Sequence, residues 1–600
     1  MRKHLFCFLI LLITNTPFAE ENTTHSPQNY LKKYRDYVYW TEHFPSDPNT
    51  EFLEFIEPIT PLSQKLHEKW LHHLAKQKDW IHFNQSYRPS PDVALRCHAQ
   101  RALYHLADQQ INIDETLSLW LSAKSQPPSC TALFDLLLKD HTLTQQHIDQ
   151  RIALALSHNR SSLASYLLRK SGPARATQAK SLSRIMQSPK RVLQLRAEPL
   201  SSDLCLYGLK RMVSRNMKGA ISLWRQPQVQ TLLSQDQKQK FLAHLALYQA
   251  MRNQDTAEVW FAKVQPTYRS RALHDWEIRY ALLHHNWKNV ITLTANEAPS
   301  EQNEKWQYWR ARALGQLGKQ AEAKKLYSEL AVKRSYYGFL ASIQLQQPMQ
   351  FESEATNDDL DTLEIYKPIT EDIAKLYHDN KDQQASRAID DFSSELPKSE
   401  KSALTYWVAE HLHWPGKAVY LSTKDDALND QLALRFPLTH QTIIQTYAKQ
   451  YHLSEALIYA MIRQESMFFN EIVSPAGAYG LMQVMPSTAK HVARVAHIPY
   501  RDAKELFSAE KNIQIGTAYL QILSQKFQGH PILMAAAYNA GPRQARYWYQ
   551  RHPPKEMDIW IETLPWQETR NYLKNVIAFY AVYQYRMNQT PDLQDFLKPL

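Results

Sequence analysis

Residues 454–468 read Ser454-Glu-Ala-Leu-Ile458-Tyr-Ala-Met461-Ile462-Arg463-Gln-Glu465-Ser466-Met-Phe468. Ile458, Met461 and Ile462 recur at helical spacing, and Ser454 suits the N-cap of the helix they define. Glu465 lies four residues after Met461 and three after Ile462, so it continues the apolar stripe. A carboxyl on a buried face is costly to ionise, which raises its pKa. The partial negative charge at a helix C-terminus pushes the same way. A carboxylic acid still protonated near neutral pH is what a general acid needs. The plain alternative is a structural glutamate paired with Arg463 or a distant base.

Outward from this helix the composition is that of a helical protein. The chain has 600 residues, enough for two to four domains, with 44% hydrophobic and 22% charged residues. Only 12 residues are glycine, where average usage would give about forty. Glycine serves tight turns and positive-φ positions, so an all-α chain with few sharp reversals is expected. Five of those 12 glycines fall from Gly477 onward, which concentrates loops with special backbone needs in the last fifth of the chain. Functional residues usually sit on such loops.

From about Glu20 to Gln350 no strand alternation of useful length is present. Tyr248, Ala281 and Leu314 are equally spaced, thirty-three residues apart, as are Ala257, Val290 and Ala323, and Trp260, Leu293 and Leu326. Polar turns fall between the helices of each unit, at Asn253-Gln254-Asp255, His285-Asn286 and Gly318-Lys319-Gln320. Tandem helix pairs at this period read as an α-solenoid, because one pair cannot bury its apolar face alone. An acidic stretch with Glu352, Glu354, Asp358, Asp359 and Asp361 reads as a linker. A smaller helical segment follows to about Phe436, and Pro437 opens the last region.

At the N-terminus Arg2-Lys3 precede an apolar run, Leu5 to Ile13, followed by Pro17-Phe18-Ala19. This is the layout of a secretory signal peptide, cleaved after Ala19. The run is too short to anchor a membrane span. Net charge is +11, which suits nucleic acid, an anionic membrane or an acidic polymer. Export argues against nucleic acid. Cys7 leaves with the leader, and export makes a disulfide possible among Cys97, Cys130 and Cys205. Cys97 and Cys130 are the nearer pair, with Cys205 then a buried free thiol. No cysteine spacing matches a zinc site, and His67-Glu68 with His72 is one residue too long for a zinc-protease helix. No phosphate-binding or dinucleotide fingerprint occurs, so no metal or other cofactor is expected.

After Glu465-Ser466 and Phe468 come Ser474-Pro-Ala-Gly477-Ala-Tyr479-Gly480-Leu-Met-Gln483-Val-Met485-Pro486 and Asn512-Ile-Gln-Ile-Gly516. Ala536-Ala-Tyr538-Asn539-Ala-Gly541-Pro542 and Leu564-Pro-Trp-Gln-Glu568-Thr-Arg570-Asn-Tyr572 follow. In order and spacing this set resembles the large soluble lytic murein transglycosylases. The resemblance is strong over the last 150 or so residues. It is weaker before them, in Trp309-Arg-Ala-Arg-Ala-Leu314, Ser335-Tyr-Tyr-Gly338 and the Cys97 and Cys130 spacing. Tyr479 stands where the family often has a small residue, and Arg543 where a second glycine is common.

The resemblance implies an all-α fold in three parts. These are an α-superhelical, solenoid or ring-like body over 20–365, a helical linker domain over 366–436, and a lysozyme-like catalytic domain over 437–600. It implies Glu465 as the single catalytic acid, then base, in non-hydrolytic cleavage that leaves 1,6-anhydro ends. It implies Ser474, Gln483, Met485, Tyr538, Asn539 and Glu568 at or around the sugar groove. Peptidoglycan glycan strands are the expected partner, with other cell-wall enzymes as further candidates, a monomer as the expected state, and the periplasm as the location. Most glycosidases need two carboxylates, and none stands clearly beside Glu465. Glu471 lies in a polar loop, and Asp502, Glu505 and Glu510 read as solvated. Glu562 and Glu568 stay open, so a hydrolytic muramidase and an inactive glycan-binding scaffold remain rivals.

Overall fold

The protein's structure is a computed structural model that describes residues 27–599, apart from 46–47, 59, 107–109, 296–303, 552 and 554. The expected leader, residues 1–19, and Cys7 lie outside the described residues. Good helix formers dominate the chain, and helices make up nearly all its regular structure. Among the described residues the only β contacts are two isolated bridges, Val473 with Tyr479 and Tyr479 with Val484. No described helix is long and apolar enough to cross a membrane.

The thirty-three-residue units are helix pairs: Gln235–Met251 with Ala257–Phe261, Arg271–Leu283 with Trp287–Thr294, and Glu304–Gln316 with Gln320–Ala331. Ala257, Val290 and Ala323 are all buried between neighbours. In the second and third units the amides of Asn286 and Lys319 return to the carbonyls of Ala281 and Leu314, at 2.8 and 3.0 Å. The turn residues His285 and Gly318 are left-handed, at φ 50° and 79°. The first unit turns one residue later than the strict period, through Asn253.

These reversals correct the expectation drawn from scarce glycine. Eighteen described non-glycine residues have positive φ, six of them histidine and four asparagine. Both types tolerate the left-handed region better than most. The chain turns sharply and often without spending glycine on it.

The chain divides into two compact units. One joins residues up to His73 with Asp359–Glu400. Its interior holds Phe52 edge-on to Trp70 and Tyr366 edge-on to Phe392, and Lys65 pairs with Asp391. The other joins Leu74–Asp358 with Lys401–Leu600 and contains two hydrophobic cores. The first core runs from Cys97 to Tyr280. Within it a disulfide ties Cys97, on helix Val93–His105, to Cys130, on helix Pro128–Lys139. Cys205 is free and buried, and burial pushes its thiol up to about 12.

The second core joins residues from Ile278 to Phe351 with residues from Val419 to Phe596 in one cluster. The last helical pairs of the body therefore share one interior with the C-terminal helices. A charge cluster crosses the same boundary. Glu562, fully buried on helix Met557–Thr563, accepts from Arg279 at 3.0 Å, from Lys574 at 2.5 Å and from the Tyr337 hydroxyl at 2.6 Å. Burial pushes its carboxyl up, but Lys574, Arg279 and Lys305 overcome this and hold it well below the usual carboxylate range. A buried charge needs such partners to be tolerated.

Candidate active site

Helix Glu455–Ser466 carries Glu465 in its last turn. Ile458, Met461 and Ile462 are fully buried, as the stripe requires. Ser454 holds the N-cap position but makes no side-chain capping bond. The helix stops because Met467 and Phe468 both turn left-handed, at φ 50° and 68°, with the Phe468 amide donating to the Ser466 hydroxyl at 3.1 Å. Arg463 does not pair with Glu465. It donates to the Arg435 carbonyl and the Thr423 hydroxyl, both at 2.8 Å, and stacks on Phe436 and Phe579.

The Glu465 residue is half-buried while its carboxyl is enclosed. Burial pushes this carboxyl from 4.5 up to about 7. The Tyr572 hydroxyl donates to its Oε1 at 2.6 Å and pulls the value down, while the negative charge of Glu568 pushes it up. Tyr572 lies on helix Gln567–Arg586, one turn beyond Glu568. Its hydroxyl also lies 3.5 Å from the Met461 sulfur, so one ring touches both the acid and the stripe beneath it. Tyr572 falls within the Leu564–Tyr572 motif, and nothing local in the sequence marks it as the partner of Glu465. The available signal was its place four residues after Glu568 on a helix.

The segment after this helix is held by a buried amide that was also missed. Asn512, on helix Ala509–Lys526, accepts from the Met482 amide at 2.8 Å and donates to the carbonyls of Tyr479 and Leu506, at 2.9 and 2.7 Å. Gly480 has φ 68°, and a Cβ there would meet Asn512 Nδ2 and the Leu506 carbonyl at 2.3 Å. A Cβ on Gly516 would meet the Met482 sulfur at 2.4 Å. These two glycines let helix Ala509–Lys526 lie directly against the loop. Ser474 closes a turn, its hydroxyl accepting from the Ala478 amide at 3.0 Å. Gln483 (φ 46°) donates to the Gly480 carbonyl at 2.9 Å and to that of Ile472 at 3.3 Å. Met485 is exposed at the start of helix Pro486–Val495.

Tyr538, on helix Pro531–Ala540, donates its hydroxyl to the Met482 carbonyl at 2.7 Å and packs on Tyr519. Burial and the charge of Glu465 push its phenol well above the usual range. Glu465, Tyr572, Tyr538 and Glu568 therefore share one electrostatic neighbourhood. Asn539 accepts from the Thr569 hydroxyl at 2.8 Å and ties this helix to the start of the Tyr572 helix. Ser474, Gln483 and Met485 make no hydrogen bond to Glu465 and lie on the loop beyond it. Tyr479 packs its ring on Phe507.

The other acids are occupied or outside. Glu562 is locked in its cation cluster. Glu568 and Glu471 are exposed, Asp502 caps the turn at Ala503, and Glu505 accepts from the Arg501 amide at 3.2 Å. Glu510 is reached by the Tyr447 hydroxyl at 3.5 Å. In the stretch Tyr547-Trp548-Tyr549, Trp548 is buried core and Tyr547 is exposed. No group of three His, Cys, Asp or Glu among the described residues could hold a metal ion.

The site combines a helical frame, an enclosed carboxyl, a tyrosine on that carboxyl and a glycine-shaped loop beside it. A family model described as the transglycosylase SLT domain matches residues 442–561, and one described as the soluble lytic transglycosylase helical domain matches 563–592. The soluble lytic murein transglycosylase of Escherichia coli K12 is 27% identical over 579 residues, covering 94% of this chain and 89% of that one. That of Salmonella typhimurium is 28% identical over 575 residues, covering 93% and 88%. Among solved structures, an inactive glutamate-to-glutamine mutant of the lytic transglycosylase Slt from Pseudomonas aeruginosa superposes with TM-score 0.81 at 28% identity, covering 96% of this chain and 95% of that one. The 70 kDa soluble lytic transglycosylase of Escherichia coli superposes with TM-score 0.76 at 25% identity, covering 96% and 94%. The chain thus carries the transglycosylase SLT domain and is similar over nearly its whole length to the soluble lytic murein transglycosylases.

Proposed function

We propose that this protein cleaves the β-1,4 bond between N-acetylmuramic acid and N-acetylglucosamine in peptidoglycan strands without consuming water, leaving 1,6-anhydro-muramyl ends. The observation that carries the reading is Glu465: an enclosed carboxyl raised to about 7 and fixed by Tyr572. Protonated, it gives its proton to the glycosidic oxygen as the bond to C1 breaks. The resulting carboxylate takes the proton of the muramyl C6 hydroxyl as that oxygen bonds to C1. The acid is regenerated, and no second carboxylate is required. A hydrolytic route needs a base or nucleophile beside Glu465. Glu562, the most buried alternative, is committed to Lys574 and Arg279.

Tyr538 has spent its proton on the Met482 carbonyl. It offers lone pairs to an acetamido N–H or to positive charge developing at C1. Ser474, Gln483, Met485 and Glu568 are proposed to line the sugar groove, with Asn539 holding the helix ends together. The proposed parts of the chain are a leader cleaved near Ala19, a body over 20–365, a helical linker over 366–436 and a catalytic domain over 437–600. The linker is shared between the two compact units. The proposed location is the periplasm. Mass spectrometry of muropeptides released from purified sacculi tests the chemistry. Products lighter than ordinary muropeptides by one water and resistant to borohydride are expected. Reducible ends would overturn the non-hydrolytic route.

A further inference from the structure

A cavity of about 330 Å³ lies in the helical body, among helices Pro128–Lys139, Gln145–Ser157 and Ser161–Lys170. Its notable wall is Arg151. This side chain is only 5% exposed, and its guanidinium stacks on Trp120 at 4.6 Å and Phe134 at 5.3 Å. Its one hydrogen bond runs from Nε to the Ser122 carbonyl at 3.4 Å. Neither terminal nitrogen has a partner among the described residues. Burial lowers its pKa to about 10, and no carboxylate offsets that. Buried arginines are ordinarily paired, because an uncompensated buried charge destabilises the fold.

The acid that lines the cavity is already taken. Asp135 pairs with Lys170. The walls thus carry one net positive charge, and it belongs to a planar fork with two free donors. A fork of that shape matches a carboxylate. Ser125, Thr131 and Ser162 line the cavity, and their hydroxyls make no hydrogen bond among the described residues, while Leu138, Leu163 and Leu167 provide apolar surface. The disulfide at Cys130 fixes helix Pro128–Lys139, which forms one wall.

We infer that this cavity binds a small carboxylate of the kind that ends a short peptide, held by the two terminal nitrogens of Arg151. The apolar wall takes a small side chain, and the rim hydroxyls take the adjoining amide. The cavity volume accommodates about two small residues. The site is separate from Glu465 and does not depend on the reaction proposed for it.

The test uses the full chain and N-acetyl-alanyl-alanine, titrated by calorimetry or ligand-observed NMR. Saturable binding with a dissociation constant of about 1 mM or tighter is expected. The C-terminal amide of the same dipeptide should bind about tenfold more weakly or worse, because it lacks the charge. Arg151→Gln should lose binding by a similar factor. Ser162→Trp, placed on an exposed rim position, should also lose it by filling the entrance, and this variant decides the matter if Arg151→Gln does not fold. Equal binding of acid and amide would overturn the inference, as would tighter binding of methyl phosphate. Unchanged binding in a folded Arg151→Gln, or no saturable binding at all, would do the same.

Discussion

Replacing Glu465 by Gln removes one proton-binding site and little else. Gln has nearly the shape of Glu and keeps an oxygen that can accept from Tyr572. The enclosed carboxyl sits at about 7 in the folded chain against 4.5 when unperturbed. The sign follows from which state holds the proton more tightly. Because the folded value is the higher, the stability that Glu465 contributes is fully present below about pH 4.5. It is lost as pH rises to about 7, with no further loss above that. The loss is about 3 kcal/mol, at about 1.4 kcal/mol for each pH unit between the two values. The variant has nothing to ionise and does not follow that slope. Urea unfolding of both proteins at about pH 4, about pH 6 and about pH 8 reads the effect as the gap between two curves, in which every other titrating group cancels. The variant should match the wild type at the lowest pH and exceed it by about 3 kcal/mol at the highest, while releasing no muropeptides at any pH. A gap that is the same at all three pH values would refute the burial argument for Glu465, whatever the variant's activity.

Activity should fall above about pH 7 as Glu465 deprotonates, about tenfold per pH unit, read as kcat/KM against pH. In Tyr572→Phe the alkaline limb of that profile should move upward, because the lost donor favoured the charged form. Turnover should fall about ten- to a hundredfold with the melting curve nearly kept. Gly516→Ala forces the Met482 sulfur aside and should cost about 1–3 kcal/mol by urea unfolding. It should also reduce activity, since Met482 anchors Tyr538. Reduction should destabilise the body by about 3–4 kcal/mol through the Cys97–Cys130 bridge. An unchanged melting curve after confirmed reduction would count against that bridge.

Local patterns were readable where chemistry and structure are close in sequence. The stripe of Ile458, Met461 and Ile462 directed Glu465 inward, because helical periodicity is a property of a few neighbouring residues. The helix pairs around Ala257, Val290 and Ala323 were readable for the same reason. Long-range partners were not. Nothing near Glu465 in the chain marks Tyr572, more than a hundred residues away, as its donor. Nor does the sequence mark Arg279 and Tyr337 as partners of Glu562, so that carboxylate stayed a candidate for catalysis until its cations were seen. Asn512 looked like one polar residue in a helix, and its three bonds to the loop exist only after folding. Glycine content misled about turns because histidine and asparagine fill many left-handed positions here.

The cluster around Glu562 also bears on how this chain can change over generations. Lys574 lies two residues from Tyr572 on the same helix, while Arg279 and Tyr337 belong to the helical body. Losing Glu562 alone strands Lys574 and Arg279 around it in a dry interior, at about 3–5 kcal/mol. Such a step would consume much of a domain's margin of about 5–15 kcal/mol. Glu562 is therefore bound to its two cations, and through it the scaffold and the helix that seats the acid's tyrosine constrain each other. A chimera that grafts a relative's C-terminal helices onto this body should work only if the graft brings a matching acid and lysine.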